Sequence, residues 1–119
     1  MFSLKWHRLI RESEVIPGEV HVHKVLGRLV GITNVNGSVH VFDGRCPHAG
    51  RSLQDSMVTS GGTVVCSKHG LRLSLDPQPC SADAIPLTRY VFRIFNGYIE
   101  IDRQGLLQPS RTAVSRPAR

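Results

Sequence analysis

The chain has 119 residues and a formal net charge of +6. It reads as one domain with a modest core, which excludes a multidomain oxygenase or a flavoprotein reductase and leaves chemistry on a large substrate to a partner. Half of the charge sits on Arg111, Arg116 and Arg119, and the first 106 residues carry twelve Lys/Arg against nine Asp/Glu, a mild bias without the dense basic clusters of a nucleic-acid binder.

No apolar run reaches membrane-spanning length, and Lys5, His7 and Arg8 fall where a signal peptide would be apolar. The expectation is a soluble, cytoplasmic protein with no membrane and no nucleic acid among its partners. Three cysteines are an odd set for a disulfide-built scaffold, and ligation of a metal by reduced thiolates suits them better.

In chain order the pattern predicts an all-β fold. Residues 4–10 read as a first strand, Pro17-Gly18 as a turn, and residues 19–26 as an alternating strand. In that strand Val20, Val22 and Val25 face inward, and His21 and His23 outward. Residues 29–33 and 38–42 flank Asn36-Gly37, and residues 93–95 and 98–101 flank Asn96-Gly97. Both pairs are strong type I′ hairpin signals. Residues 63–65 and 71–75 are shorter strand-like pieces. Together the elements imply an antiparallel scaffold with a small lobe inserted at about residues 44–76. No helix-period segment of useful length and no internal repeat is visible. The domain is predicted over residues 1–106, and residues 107–119, with two prolines and no periodicity, read as a disordered basic tail.

The lobe is rich in Gly, Ser, His and Cys, and it holds two short motifs. The first is Cys46-Pro47-His48-Ala49-Gly50 and the second is Cys66-Ser67-Lys68-His69-Gly70, with seventeen residues between His48 and Cys66. Each offers one thiolate and one imidazole. Such a set admits a tetrahedral zinc or a [2Fe–2S] cluster with mixed ligands. Zinc sites usually pair cysteines two to four residues apart and then pair histidines. Here Cys and His alternate, and a single residue separates the first two.

Cys-x-His followed by Cys-x-x-His is the pattern of Rieske proteins. The chain resembles that family, and within it the small Rieske ferredoxins of bacterial oxygenase systems, from about residue 4 to residue 103. The likeness is dense at 45–50, at 64–70 and at Pro86-Leu-Thr-Arg-Tyr-Val. It implies a Rieske-like β-sandwich with an inserted cluster lobe. Cys46 and Cys66 would bind the inner iron, and His48 and His69 the outer one through ring nitrogen. Two Fe(III), two sulfides and two thiolates sum to zero with neutral His, so an electron is easier to add than to an all-thiolate cluster. The resemblance further implies an electron-transfer component, with a flavin- or NAD(P)H-dependent reductase on one side and a terminal Rieske non-haem iron oxygenase on the other. The small Rieske subunit of an assimilatory nitrite reductase, or a zinc-stabilised binding module, is the alternative.

Respiratory members carry a disulfide at positions that are Arg51 and Lys68 here, and hydroxyl donors to sulfur where this chain has Leu71 and Leu73. The missing donors imply a low-potential, ferredoxin-like member. Arg51 and Lys68 suit docking to an acidic partner or simple solvation. Cys80 reads as a buried thiol outside the ligand set, and His7, His21, His23 and His40 as strand surface. Trp6 and Phe42 read as scaffold, and Asp43 and Asp55 as loop residues.

Overall fold

The computed structural model describes residues 5–46, 50–66, 70–75 and 84–107. Its strands are β1 (Trp6–Arg11), β2 (His21–Val25), β3 (Arg28–Val35), β4 (Ser38–Asp43), β5 (Met57–Val58), β6 (Thr63–Val65), β7 (Arg72–Ser74), β8 (Ile85–Pro86), β9 (Phe92–Phe95) and β10 (Tyr98–Asp102). They form three sheets, ordered β1-β10-β9, β2-β3-β4 and β5-β6-β7-β8. Every pairing is antiparallel except β7 with β8.

Turn chemistry sets the registers. Asn36-Gly37 has φ of 52° and 88°, and Asn96-Gly97 has 53° and 80°. These left-handed values are what a type I′ turn requires at both central positions, so β3–β4 and β9–β10 are the two hairpins the sequence announces. A third joins β2 to β3 through Leu26-Gly27, at φ 51° and 81°. Sequence reasoning carries the strand on to residue 26. The structure ends it at Val25, because Leu26 takes the left-handed backbone.

The middle sheet, β2-β3-β4, has no solvent face over its centre: Val30, Gly31, Ile32 and Thr33 are all buried. Strand residues point alternately to opposite faces. On one face Val25, Val30, Ile32 and Val41 pack with Ile99 and Ile101 of β10, Tyr90 and Leu106. On the other, Phe42 packs with Val20, Leu53, Val64, Leu73, Leu75, Leu87, Cys46 and Cys66. Val20 and Val22 turn toward the second core and Val25 toward the first, so the three valines do not share one inward face. The scaffold is therefore an antiparallel sandwich, with the small β5-β6-β7-β8 sheet laid on its back.

Two glycines let the second core close. Gly31 and Phe42 are cross-strand partners. A Cβ on Gly31 would stand 2.5 Å from Cε2 of the Phe42 ring, so the ring lies across the glycine. Gly44 approaches the β3 backbone itself, its Cβ position 3.1 Å from the Gly31 nitrogen and the Val30 carbonyl carbon.

The histidines are less exposed than their strand-surface reading implies. His7, His21, His23 and His40 are all half-buried. Burial, with neighbouring His21, holds the His23 imidazole below its ordinary pKa, and burial, with Arg89, does the same for His40. His21 is bound locally, its Nε2 accepting the Ile16 amide at 3.0 Å. After β10 the chain makes one short helix, α1 (Arg103–Leu107), whose Leu106 is fully buried. Leu4, Cys80 and the tail from residue 108 lie outside the described residues.

Leucine is a poor occupant of left-handed backbone, at a cost of roughly 1 kcal/mol, and asparagine tolerates it. Leu26→Asn should therefore raise the melting midpoint by about 4 °C, read by thermal denaturation. An unchanged or lowered midpoint would contradict the strain assigned to this turn.

Candidate metal centre

The first motif starts where β4 ends. The Gly44 N–H donates to the Leu29 carbonyl at 2.9 Å, and the Asp43 N–H to Thr88 at 2.8 Å. The exit from β4 is thus held from both sides. Arg45 then bridges Ser52, the Cys46 N–H donates to the Arg51 carbonyl at 2.7 Å, and the Gly50 N–H returns to the Cys46 carbonyl at 2.6 Å. The result is a closed finger with Cys46 at its base.

The second motif repeats this bonding twenty positions later. Val65 pairs with Arg72, the Cys66 N–H donates to the Leu71 carbonyl at 2.9 Å, and the Gly70 N–H to the Cys66 carbonyl at 2.9 Å. Gly50 and Gly70 share left-handed φ of 70° and 69°. The fingers are equal in length and closure, yet at matching positions only cysteine and glycine recur. That is why the repeat escapes a reading of the sequence. His48 stands two residues after its cysteine and His69 three, so the two histidines are out of step in the sequence of the two motifs.

Cys46 is fully buried and Cys66 is 2% exposed, and both belong to the core beneath the fingers. Both are thiols. Paired buried thiols at the bases of two matched fingers fit a soft metal centre, since a coordinating thiol gives up its proton and its charge is compensated there. His48 and His69, and with them Lys68, lie outside the described residues. Of the expected ligand set, the described residues thus include the two cysteines, which share one buried core. Leu73 is fully buried and pairs with Val64, and Leu71 is half-buried against the same core. The leucines pack the ground under the second finger and bring no hydroxyl to it.

Sequence reasoning singles out Arg51 and Lys68 near the fingers and overlooks Arg45. The Arg45 guanidinium lies 3.6 Å from Asp43, which also accepts the Arg45 N–H at 3.1 Å. Arg45 walls a cleft of about 260 Å³ together with Asp43, Cys46, Gly50 and residues 86–88. It also walls a second cleft, of about 230 Å³, with Leu26, Arg28 and Leu29. Behind it, burial and then Asp43 push the Tyr90 hydroxyl up to about 12, against the pull of Arg28 and Arg45. Tyr90 is a neutral group at any ordinary pH. Its position directly before the first cysteine is the only mark Arg45 carries in the sequence.

Comparison with known proteins agrees with this geometry. The family model described as the Rieske [2Fe-2S] domain matches residues 5–94. Sulredoxin of Sulfurisphaera tokodaii is 31% identical over 107 residues, spanning 82% of this chain and 97% of that protein. The ferredoxin component of the alkene monooxygenase system of Xanthobacter autotrophicus is 32% identical over 59 residues, half of this chain. That match spans about half of the relative, 48%. Among solved structures, the ferredoxin of carbazole 1,9a-dioxygenase from Nocardioides aromaticivorans superposes with a TM-score of 0.70 at 19% identity, covering 82% of this chain and 97% of that one. At that identity the likeness speaks for the fold.

Gly50 and Gly70 take backbone that an L side chain enters at a cost of roughly 1–2 kcal/mol, although a Cβ on either would meet no atom within 4 Å. Alanine at either should leave room but strain the finger. Gly50→Ala and Gly70→Ala should each speed loss of bound iron severalfold, followed by bleaching of visible absorbance at constant temperature. Equal, undiminished retention in both would contradict a role for the closed fingers.

Proposed function

The chain belongs to the Rieske [2Fe–2S] domain family, and from that membership we propose that it is a one-electron carrier. It accepts electrons from a flavin- or NAD(P)H-dependent reductase and passes them to a terminal Rieske non-haem iron oxygenase. It transforms no substrate itself. The cytoplasm, where cysteines stay reduced, is the compartment that suits its thiol ligands. The names of two relatives support this reading: one is the ferredoxin component of an alkene monooxygenase system, and the other is the ferredoxin of carbazole 1,9a-dioxygenase.

The observation that carries the reading is the pair of matched fingers, each with a buried cysteine at its base. Cys46 and Cys66 would hold one iron as thiolates, and His48 and His69 the other through ring nitrogen. When bound, the cluster supplies a reversible one-electron couple. The chain does the rest. Its second core keeps water from the two sulfurs. The fingers spend the Cys46 and Cys66 amides on closing themselves, so these amides hold the loops and leave the sulfurs to other donors. Leu71 and Leu73 bring no hydroxyl donor, which favours a potential near the low end of the Rieske span, on the order of −150 mV. The working domain is residues 1–106, with Leu107 closing α1 at its boundary, and the rest of the chain lies beyond it.

The test is anaerobic reconstitution. The purified protein should contain iron and acid-labile sulfide, take up one electron per chain, and relay electrons from candidate reductases to candidate oxygenases. Cys46→Ser and His48→Ala should lose the cluster or leave it unstable, whereas Cys80→Ser should keep it. Full cluster content in either of the first two variants would overturn the ligand assignment. Turnover of an organic substrate by the chain alone would overturn the carrier reading.

A further inference from the structure

Among the described residues, three hairpins close through two-residue turns with both positions left-handed, and two of them use Asn-Gly. The third uses Leu26-Gly27. Leu26 sits at φ 51° with 45% of its surface exposed, and it belongs to neither buried core. Leucine there carries two costs, a left-handed backbone and an apolar side chain in water, and asparagine would remove both. Backbone strain at a position that the fold does not require points to what the side chain does outside the fold.

The surroundings of Leu26 say what that is. Leu26, Arg28 and Arg45 line one cleft, and Arg45 also walls the neighbouring cleft that reaches Cys46. The turn therefore stands next to the first finger. Arg45 has a side chain 51% exposed even with Asp43 beside it, Arg51 is exposed and Arg28 half-exposed. Among the described residues, Asp43 is the one carboxylate lining either cleft, and its side chain is 21% exposed. An exposed leucine whose cleft is lined by Arg28 and Arg45, with Arg51 on the adjoining finger, has the anatomy of a protein interface, an apolar anchor inside a charged rim.

We propose that Leu26 anchors the surface on which the electron-exchange partner docks, and that this partner is a protein presenting carboxylates to Arg28, Arg45 and Arg51 around an apolar contact. The proposal rests on the carrier reading above. The leucine holds the complex together, and the arginines steer encounter and set orientation.

The test uses reduced holoprotein in stopped-flow mixing with two protein acceptors, the acidic cytochrome b5 and the basic cytochrome c. At low salt, wild type should reduce cytochrome b5 faster than cytochrome c, and the advantage should shrink as salt screens the charges over about 8 Å. Arg28→Gln and Arg45→Gln should each slow the cytochrome b5 reaction severalfold, up to about tenfold. Leu26→Asn should slow it about fivefold with its salt dependence unchanged, while its melting midpoint rises. Opposite movement of stability and rate is the signature, because a merely structural residue would move both in one direction. A Leu26→Asn protein as fast as wild type, or arginine variants without effect, would overturn the proposal. So would co-sedimentation with anionic phospholipid vesicles that depends on Leu26, since the surface would then belong to a membrane. Ferricyanide separates loss of docking from loss of electron carriage. If it oxidises reduced wild type rapidly while cytochrome b5 ignores the three substitutions, docking alone fails. If it draws no electron, the carrier reading and this proposal fall together.

Discussion

A three-stranded sheet buried on both faces has to serve two cores at once, and the middle sheet of this protein does so through the contact between Gly31 and Phe42. The Phe42 ring covers the glycine from the facing strand. Any side chain at Gly31 would lift that ring, which is fully buried at the centre of the second core. Gly44, two residues farther along, lies against the β3 backbone in the same space. The first finger departs from Gly44, so the placement of Cys46 follows from how closely two backbones can approach. Overpacking at such a point costs about 1–3 kcal/mol, and here it would be felt in the fold and in the metal site together.

The surface divides the surplus positive charge between two uses. On the outer sheet the cations are engaged within the protein. Arg93 lies 4.6 Å from the Trp6 ring and 4.6 Å from the Phe95 ring, and it pairs with Glu100 at 2.8 Å. Arg8 stacks on Tyr98 at 4.1 Å. Cation–π contacts of this kind are worth about 0.5–1 kcal/mol each at exposed sites, and they hold the aromatic residues of an exposed face in place. Beside the first finger, by contrast, Arg45 and Arg51 stay open to water. The mild net charge of the domain thus says little by itself, and its distribution says more.

What the sequence makes legible follows from what each signal depends on. Asn36-Gly37 and Asn96-Gly97 are read correctly because their chemistry is local and the turn asks for nothing else. The Leu26-Gly27 turn is missed because leucine carries no turn signal, and only the surrounding sheet makes it accept that backbone. β5 and β8, two residues each, are too short for alternation to register. Gly31 and Gly44 reveal their role only once a facing ring and a neighbouring strand are in place. The cysteines and histidines stand out in the sequence as a proposed ligand set because their spacing is chemical. The equality of the two fingers is not, since it lies in backbone hydrogen bonds that many sequences could make.

Two cysteines and two histidines of this chain are proposed to hold one [2Fe–2S] cluster. Electron–nuclear double resonance on the reduced protein tests it directly. Two inequivalent nitrogen couplings of directly bound imidazole are expected, one of which disappears in His48→Cys and the other in His69→Cys. A reduced cluster with no strongly coupled nitrogen, or a protein that holds zinc and gives no paramagnetic signal on reduction, would contradict it.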